Sequence, residues 1–320
     1  MRFYFKTKKK LYLYAENLKN FYFIGEKTMK IEDIALTLIP NLTPLAVAHL
    51  LEVFGSAEAI YAASEAELIS RAGLRADIAK KIAVGYGLPQ AAREIESCQR
   101  AGITVVASCD RAYPERVRFC ADYPHIIYMV GDTSLPNSST LLAIVGERQS
   151  VSGYGNKMIL KLIEQIAELM PEAVIVGMLE SYTDATALRI ASTYGLQTIA
   201  ISSVALSELS CSEYSRLAEE ILTSGGAIVS EVGSASALRE DGYSADERIV
   251  AGLSDGIVVV ESGEVPNIAK CADSYSRMLF ALPGRATDVT SWGTNRMIAS
   301  SMAHLVCSGR DIVNILDSEL

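Results

Sequence analysis

The sequence contains few of the residues from which metal sites and disulfide frameworks are built. It has three histidines and six cysteines, and no two cysteines stand in a C-x-x-C spacing. These features argue against a zinc site and favour reduced, mostly buried thiols in a cytoplasmic protein. No apolar run reaches the roughly 18 residues that a membrane-spanning helix needs. The sequence therefore predicts neither a metal nor a membrane partner.

The chain also has fewer positively charged than negatively charged side chains. The chain has 29 Lys and Arg residues against 38 Asp and Glu residues, which gives a formal net charge of −9. Because an acidic chain is a poor general binder of polyanions, a nucleic-acid role would require a local cluster of cations. The 320 residues, half of them hydrophobic, suffice for one large or two smaller domains with a sizeable core.

Residues 1–28 differ in composition from the rest of the chain. Lysines and an arginine are interleaved with phenylalanines and tyrosines, without the apolar core and cleavage site of a signal peptide. One interpretation is a basic, aromatic arm that contacts single-stranded nucleic acid by stacking and charge. The other is upstream sequence translated from a wrongly assigned start, with Met29 as the natural beginning. We favour the second, because a recognisable domain begins within a few residues of Met29.

Residues 29–87 have the apolar spacing of several short helices separated by proline and glycine. Within them, residues 40–55 resemble a helix-hairpin-helix, a module whose glycine turn presents amides to a DNA phosphate. Leu42 and Thr43 stand where that turn is expected, which weakens the phosphate-binding interpretation. We therefore expect a helical domain whose main role is packing.

From residue 88 to residue 320, short apolar runs alternate with segments of helical periodicity. The runs at 141–145 and 173–176 are continuously apolar, and the run at 256–261 is apolar until it ends at Glu261. Such runs are typical of strands that are covered on both faces. This alternation predicts an α/β fold with an extended Rossmann-like parallel sheet. In such sheets, ligands bind where the strands end at their carboxyl side.

The stretch 141–155 has the order strand, glycine loop, helix, with Gly146 directly after the strand and helical spacing over 157–170. Loop amides and a helix N-terminus form a natural anion site at this point of the fold. The alternative is a purely structural turn between strand and helix that binds no ligand.

Cationic and amide side chains follow several of the predicted strands. If they converge, arginine side chains can bind a phosphate backbone in bidentate geometry. Alternatively, Arg148 and Arg248 form internal ion pairs with Glu147, Glu247 or Asp184. The candidate residues that bear such groups are Arg148, Arg248, Arg285, Asn295 and Arg296.

Four segments stand in chain order: YPERVRFCADYPHIIYMVG, LAIVGER followed by YG, RIVAGLSDGIVVVES, and LFALPGRATDVTSWGTNRMI followed by SGRDIV. Taken together, they resemble the DprA/Smf family of DNA-processing proteins from about residue 30 to the C-terminus. The last two segments are the most specific, because a long pattern with PGR, a G-x-N-R turn and a closing acidic-Ile-Val step is hard to obtain from an unrelated Rossmann-like chain.

The resemblance implies a helical domain at 29–87 followed by a Rossmann-like domain at 88–320. It also implies binding and protection of single-stranded DNA, loading of a RecA-type recombinase during natural transformation, and a homodimer. No cofactor and no catalysis are expected. The residues predicted to bind the DNA are Gly146, Arg148, Arg248, Arg285, Asn295 and Arg296.

The loops depart from the family pattern in ways that add negative charge where phosphates would lie. These departures leave two alternatives open. One is a degenerate paralogue that acts as a scaffold without binding DNA, and the other is a nucleotide-binding enzyme or sensor. The acids concerned are Glu147, Glu180, Asp246 and Glu247.

Overall fold

The computed structural model describes residues 29–211, 214–234 and 245–319, so both interpretations of residues 1–28 concern a segment outside the described residues. The described ranges contain fourteen α-helices, nine strands and three short 3₁₀ helices. The helices are α1 Ile31–Thr37, α2 Pro44–Phe54, α3 Ala57–Ala62, α4 Glu65–Ala72, α5 Ala76–Ala83, α6 Leu88–Ala101, α7 Glu115–Arg118, α8 Gly153–Leu169, α9 Tyr182–Thr193, α10 Ser215–Thr223, α11 Ala245–Leu253, α12 Asn267–Ser274, α13 Trp292–Ala299 and α14 Gly309–Glu319. The strands are β1 Thr104–Ala107, β2 Ile126–Gly131, β3 Leu141–Val145, β4 Val174–Met178, β5 Gln197–Ile201, β6 Ala227–Ser230, β7 Gly256–Val259, β8 Met278–Ala281 and β9 His304–Leu305.

Helices α1 to α5 pack around a core of their own, in which Leu50, Ile60 and Leu68 are fully buried. The stretch 40–55 forms the turn before α2 and α2 itself, with Thr43 capping the helix through its hydroxyl. Asn41 takes the left-handed conformation (φ 67°) in this turn, where glycine is the usual residue. The predicted helical character of this region is confirmed, while a domain boundary at residue 87 stays a prediction.

The sheet has the strand order β1-β2-β6-β5-β4-β3-β7-β8-β9. Strands β3 to β9 are mutually parallel, as expected for a Rossmann-like fold. The prediction of a parallel sheet needs one correction, because β2 runs antiparallel to both β1 and β6. An apolar run has the same composition in either direction, so the sequence pattern does not distinguish a reversed strand.

Strand β3 lies at the centre of the parallel part of the sheet and is buried along its whole length. Its neighbours are β4 and β7, so the strand order continues in opposite directions on its two sides. This is the topological switch point at which open α/β sheets bind ligands. The loop that follows β3 is therefore placed where the sequence predicted a site.

Helix α8 begins at Gly153, four positions before the predicted start at 157, because Ser152 caps it. The Gly155 amide donates to the Ser152 hydroxyl at 3.0 Å, which satisfies one of the free amides of the first turn. Helices α8, α9, α10 and α14 cover one face of the sheet, and α11, α12 and α13 cover the other. None of the helices in the described ranges is both long and apolar enough to cross a bilayer.

Candidate functional site

The loops after β3, β7 and β8 meet at the carboxyl edge of the sheet. The Gly263 amide donates to the Glu147 carboxylate at 2.7 Å, which joins the first loop to the second. The Gly293 amide donates to the Ser262 carbonyl at 2.7 Å, which joins the second loop to the start of α13. We call this surface the rim, and it consists of residues 146–152, 260–266 and 282–296.

Gly146 is closely surrounded at the base of the rim. A Cβ atom on Gly146 would lie 2.8 Å from Cγ2 of Thr183 and 3.1 Å from the Glu261 carbonyl oxygen. No larger side chain fits without displacing α9 or the loop after β7. The structure thus gives Gly146 a packing role that is independent of any ligand.

Arg148 extends from the rim to the first turn of α11. Its guanidinium lies 3.0 Å from Oδ2 of Asp246 and 3.5 Å from Oε1 of Glu247. The Arg148 side chain is 40% exposed, whereas Asp246 is buried. The internal ion pair with Glu247, one of the sequence-based alternatives, is therefore present in the fold.

Arg248 lies outside the rim and is buried. Its guanidinium donates to the Glu231 carboxylate and to the Asp122 carbonyl. The Asp122 carboxylate in turn accepts a 2.5 Å hydrogen bond from the Tyr275 hydroxyl. Because these contacts engage the guanidinium inside the fold, the structure does not bring Arg248 together with the rim cations.

Arg285 lies on an exposed turn whose backbone is held by the side chain of Asn295. Asn295 accepts from the Gly284 amide at 3.1 Å and donates to the Gly284 carbonyl at 3.0 Å. A Cβ atom on Gly284 would lie 2.0 Å from the Ser291 hydroxyl oxygen, so only glycine fits this turn. Asn295 therefore positions the loop, and its amide is already used within the protein.

Arg285 and Arg296 are exposed, and no hydrogen bond or ion pair joins either guanidinium to another residue in the described ranges. They differ in this respect from Arg148 and Arg248. Among the arginines predicted to bind DNA, these two keep their donors available at the rim.

Two aromatic side chains that sequence reasoning did not select flank the Arg285 turn. The Tyr154 hydroxyl donates to the Pro283 carbonyl at 2.8 Å, and the Trp292 indole N–H donates to the Ala286 carbonyl at 3.2 Å. Tyr154 is 43% exposed and Trp292 is 53% exposed. Trp292 is the single tryptophan of the chain, but its exposure follows only from the tertiary structure.

The acids expected to face a ligand are engaged by neighbouring loops. Glu180 accepts from the Ser203 amide at 3.2 Å, and Glu147 accepts from Gly263 as described above. Burial raises the pKa of Glu180 above its ordinary value. No group of three or more metal-ligating side chains that could hold an ion occurs in the described ranges.

Comparison with known proteins places the chain in a family. Residues 104–317 match the family model described as DNA recombination-mediator protein A. The chain belongs to this family. Protein Smf of Escherichia coli K12 is 30% identical over 208 residues, which cover 64% of this chain and 54% of Smf. The chain thus matches about half the length of Smf.

A second relative is consistent with this assignment. DNA processing protein DprA of Bacillus subtilis is 24% identical over 227 residues, or 70% of this chain and 75% of that protein. The resemblance to the DprA/Smf family that the motifs indicated is confirmed.

Two solved structures of family members share the fold. DprA of Streptococcus pneumoniae superposes with a TM-score of 0.74 at 22% identity, covering 90% of this chain and 98% of that one. DprA of Helicobacter pylori, whose structure describes a single-stranded DNA binding mode, gives a TM-score of 0.57 at 24% identity, covering 68% and 96%. The predicted α/β, Rossmann-like architecture is confirmed.

Proposed function

We propose that this chain binds single-stranded DNA at the rim, with Arg285 as the main phosphate contact. The observation that carries the proposal is the Arg285 turn, which presents an unengaged guanidinium next to the exposed rings of Tyr154 and Trp292. A guanidinium matches the oxygens of a phosphate diester, and aromatic rings stack on unpaired bases. Membership of the family and the DNA-binding relative of Helicobacter pylori support the same function.

The predicted DNA-binding residues have different roles in this proposal. Arg285 and Arg296 contact phosphates, while Gly146 and Asn295 keep the rim loops in place. Arg148 contributes less, because Asp246 and Glu247 already neutralise its charge. Arg248 acts inside the fold.

The proposal is tested by fluorescence-anisotropy titration of the full chain with labelled oligo-dT. Arg285→Ala removes a charge-assisted hydrogen bond worth about 1.5–3 kcal/mol, so we expect affinity to fall by roughly 10- to 100-fold. Trp292→Ala removes a stacking surface worth about 1–3 kcal/mol per base, so a loss of similar size is expected.

Arg100→Ala is the matched control for these variants. Arg100 is exposed at the end of α6, next to the amino end of β1 and therefore at the opposite edge of the sheet. Its replacement is expected to leave affinity unchanged. Arg285→Ala with wild-type affinity would refute the assignment of the rim. No saturable binding by the wild-type chain would favour the scaffold alternative.

We further propose, on family membership alone, that the chain forms a homodimer and transfers a bound strand to a RecA-type recombinase. Size-exclusion chromatography with light scattering tests the dimer. Recombinase filament formation on strands coated with single-strand-binding protein, with and without this chain, tests the loading step.

A further inference from the structure

The N-terminus of α8, directly after β3, is the position at which Rossmann-like proteins hold a phosphate group. In this chain the Glu261 side chain lies at that position. One carboxylate oxygen accepts from the Ser152 amide at 3.0 Å, and the other accepts from the Ser152 hydroxyl at 2.6 Å. The protein therefore places its own anion at the start of the helix.

The carboxylate fits tightly against the first turn of α8. A Cβ atom on Gly155 would lie 2.4 Å from Oε2 of Glu261, so this glycine leaves just enough room for the carboxylate. Glu261 is 4% exposed, and no lysine, arginine or histidine of the described residues forms an ion pair with it. The two Ser152 donors and the positive end of the 17-residue helix stabilise the negative charge of this carboxylate.

A second carboxylate, that of Glu147, joins the same two loops. Glu147 accepts from the Gly263 amide, so the loops after β3 and β7 each receive one carboxylate from the other. The amides of Ser152 and Gly263 are thereby satisfied within the protein and have no need of an external anion.

We propose that Glu261 is an internal substitute for phosphate that closes the Rossmann-like site to nucleoside phosphates and inorganic phosphate. A phosphate entering at α8 would meet both a filled space and a negative charge. Glu261 thus determines which ligands this fold accepts, and the inference is independent of whether the rim binds DNA.

The test is isothermal titration of the full chain with inorganic phosphate and, separately, with ADP. Wild-type protein is expected to show no saturable binding. Because Glu261→Ala removes both the charge and the obstruction, its affinity for phosphate is expected to rise at least about tenfold. Glu168→Ala, which removes an exposed acid near the other end of α8, is the control and should behave like wild type.

Two results would overturn the inference: wild-type binding as tight as that of Glu261→Ala, or no gain in that variant. If Glu261→Ala does not fold, Glu261→Ser decides, because it removes both the charge and most of the side chain while keeping a hydroxyl for hydrogen bonding. Phosphate should then raise the melting temperature of Glu261→Ser and leave that of the wild type unchanged, and equal behaviour would refute the proposal. Oligo-dT affinity, measured in parallel, reports separately on the rim.

Discussion

Asp184 illustrates how burial changes the chemistry of one residue near the rim. Its carboxylate is fully buried at the start of α9 and accepts from the Ser181 hydroxyl at 2.6 Å and the Met178 amide at 2.9 Å. Burial raises the pKa of Asp184 to about 7, because the hydrogen bonds and the nearby Arg148 charge do not fully replace the lost hydration. This carboxylate therefore joins the end of β4 to the start of α9.

The raised pKa of Asp184 predicts a pH-dependent stability. Between pH ~4, the pKa of an unfolded aspartate, and pH ~7, the folded state retains a proton that the unfolded chain has lost. The free energy of unfolding should therefore fall as pH rises through this window, and Asp184→Asn should lose that slope. Urea unfolding of the wild-type protein and of Asp184→Asn at pH 5 and pH 8 measures this pH dependence. Parallel pH profiles for the two proteins would contradict the assignment.

Helix α1 is attached to the sheet by a buried polar chain. Asp33 on α1 lies 2.8 Å from Nε2 of His125, and Nδ1 of that histidine lies 2.8 Å from the Ser108 hydroxyl. The arrangement has the composition of a hydrolytic triad, but all three side chains are buried. Its role is to hold the helical region against the end of the sheet where β2 begins.

Breaking this buried pair should cost far more than breaking an exposed one. Asp33→Ala leaves Nε2 of His125 without its buried partner, and we expect a loss of about 3–5 kcal/mol in the free energy of unfolding. Glu58→Ala, which removes the half-exposed Lys30–Glu58 pair at 3.9 Å, should cost less than about 1 kcal/mol. Urea titration of the three proteins compares them, and equal losses would show that Asp33 does not anchor α1.

At the scale of the whole molecule, the proposed DNA affinity would have to arise locally, because the net charge of −9 repels a polyanion. Several acids at the carboxyl edge are engaged with amides or with Arg148, which leaves Arg285 and Arg296 as the rim cations with available donors. The electrostatic footprint expected for a bound strand is therefore small.

This footprint predicts a shallow salt dependence. For about two phosphate contacts, the slope of log K against log salt concentration for a single strand should be about −1.4, and Arg285→Ala should reduce it by about 0.7. Anisotropy titrations from low to moderate salt measure the slope, with Arg100→Ala as the unchanged control. A much steeper slope that disappears when the chain is shortened to begin at Met29 would instead assign the binding to residues 1–28.

The architecture was largely predictable because it depends on local patterns. Strand 141–145 was predicted with the bounds that the structure shows, since continuous apolar runs and helical spacing are properties of neighbouring residues. The motifs identified the family for a similar reason, as PGR and the G-x-N-R turn are short segments that can be read in order.

Tertiary contacts alone decided which charged groups of the candidate site are paired and which are exposed. Arg148 and Asp246 are 98 positions apart, and Ser152 and Glu261 are 109 positions apart. The exposure of Trp292 likewise depends on how α13 packs. The sequence by itself determined the fold class and the candidate arginines, because each is carried by local pattern. Only the folded chain decided which arginines are neutralised and which anion lies at α8, because charges act through space on residues that the sequence keeps far apart.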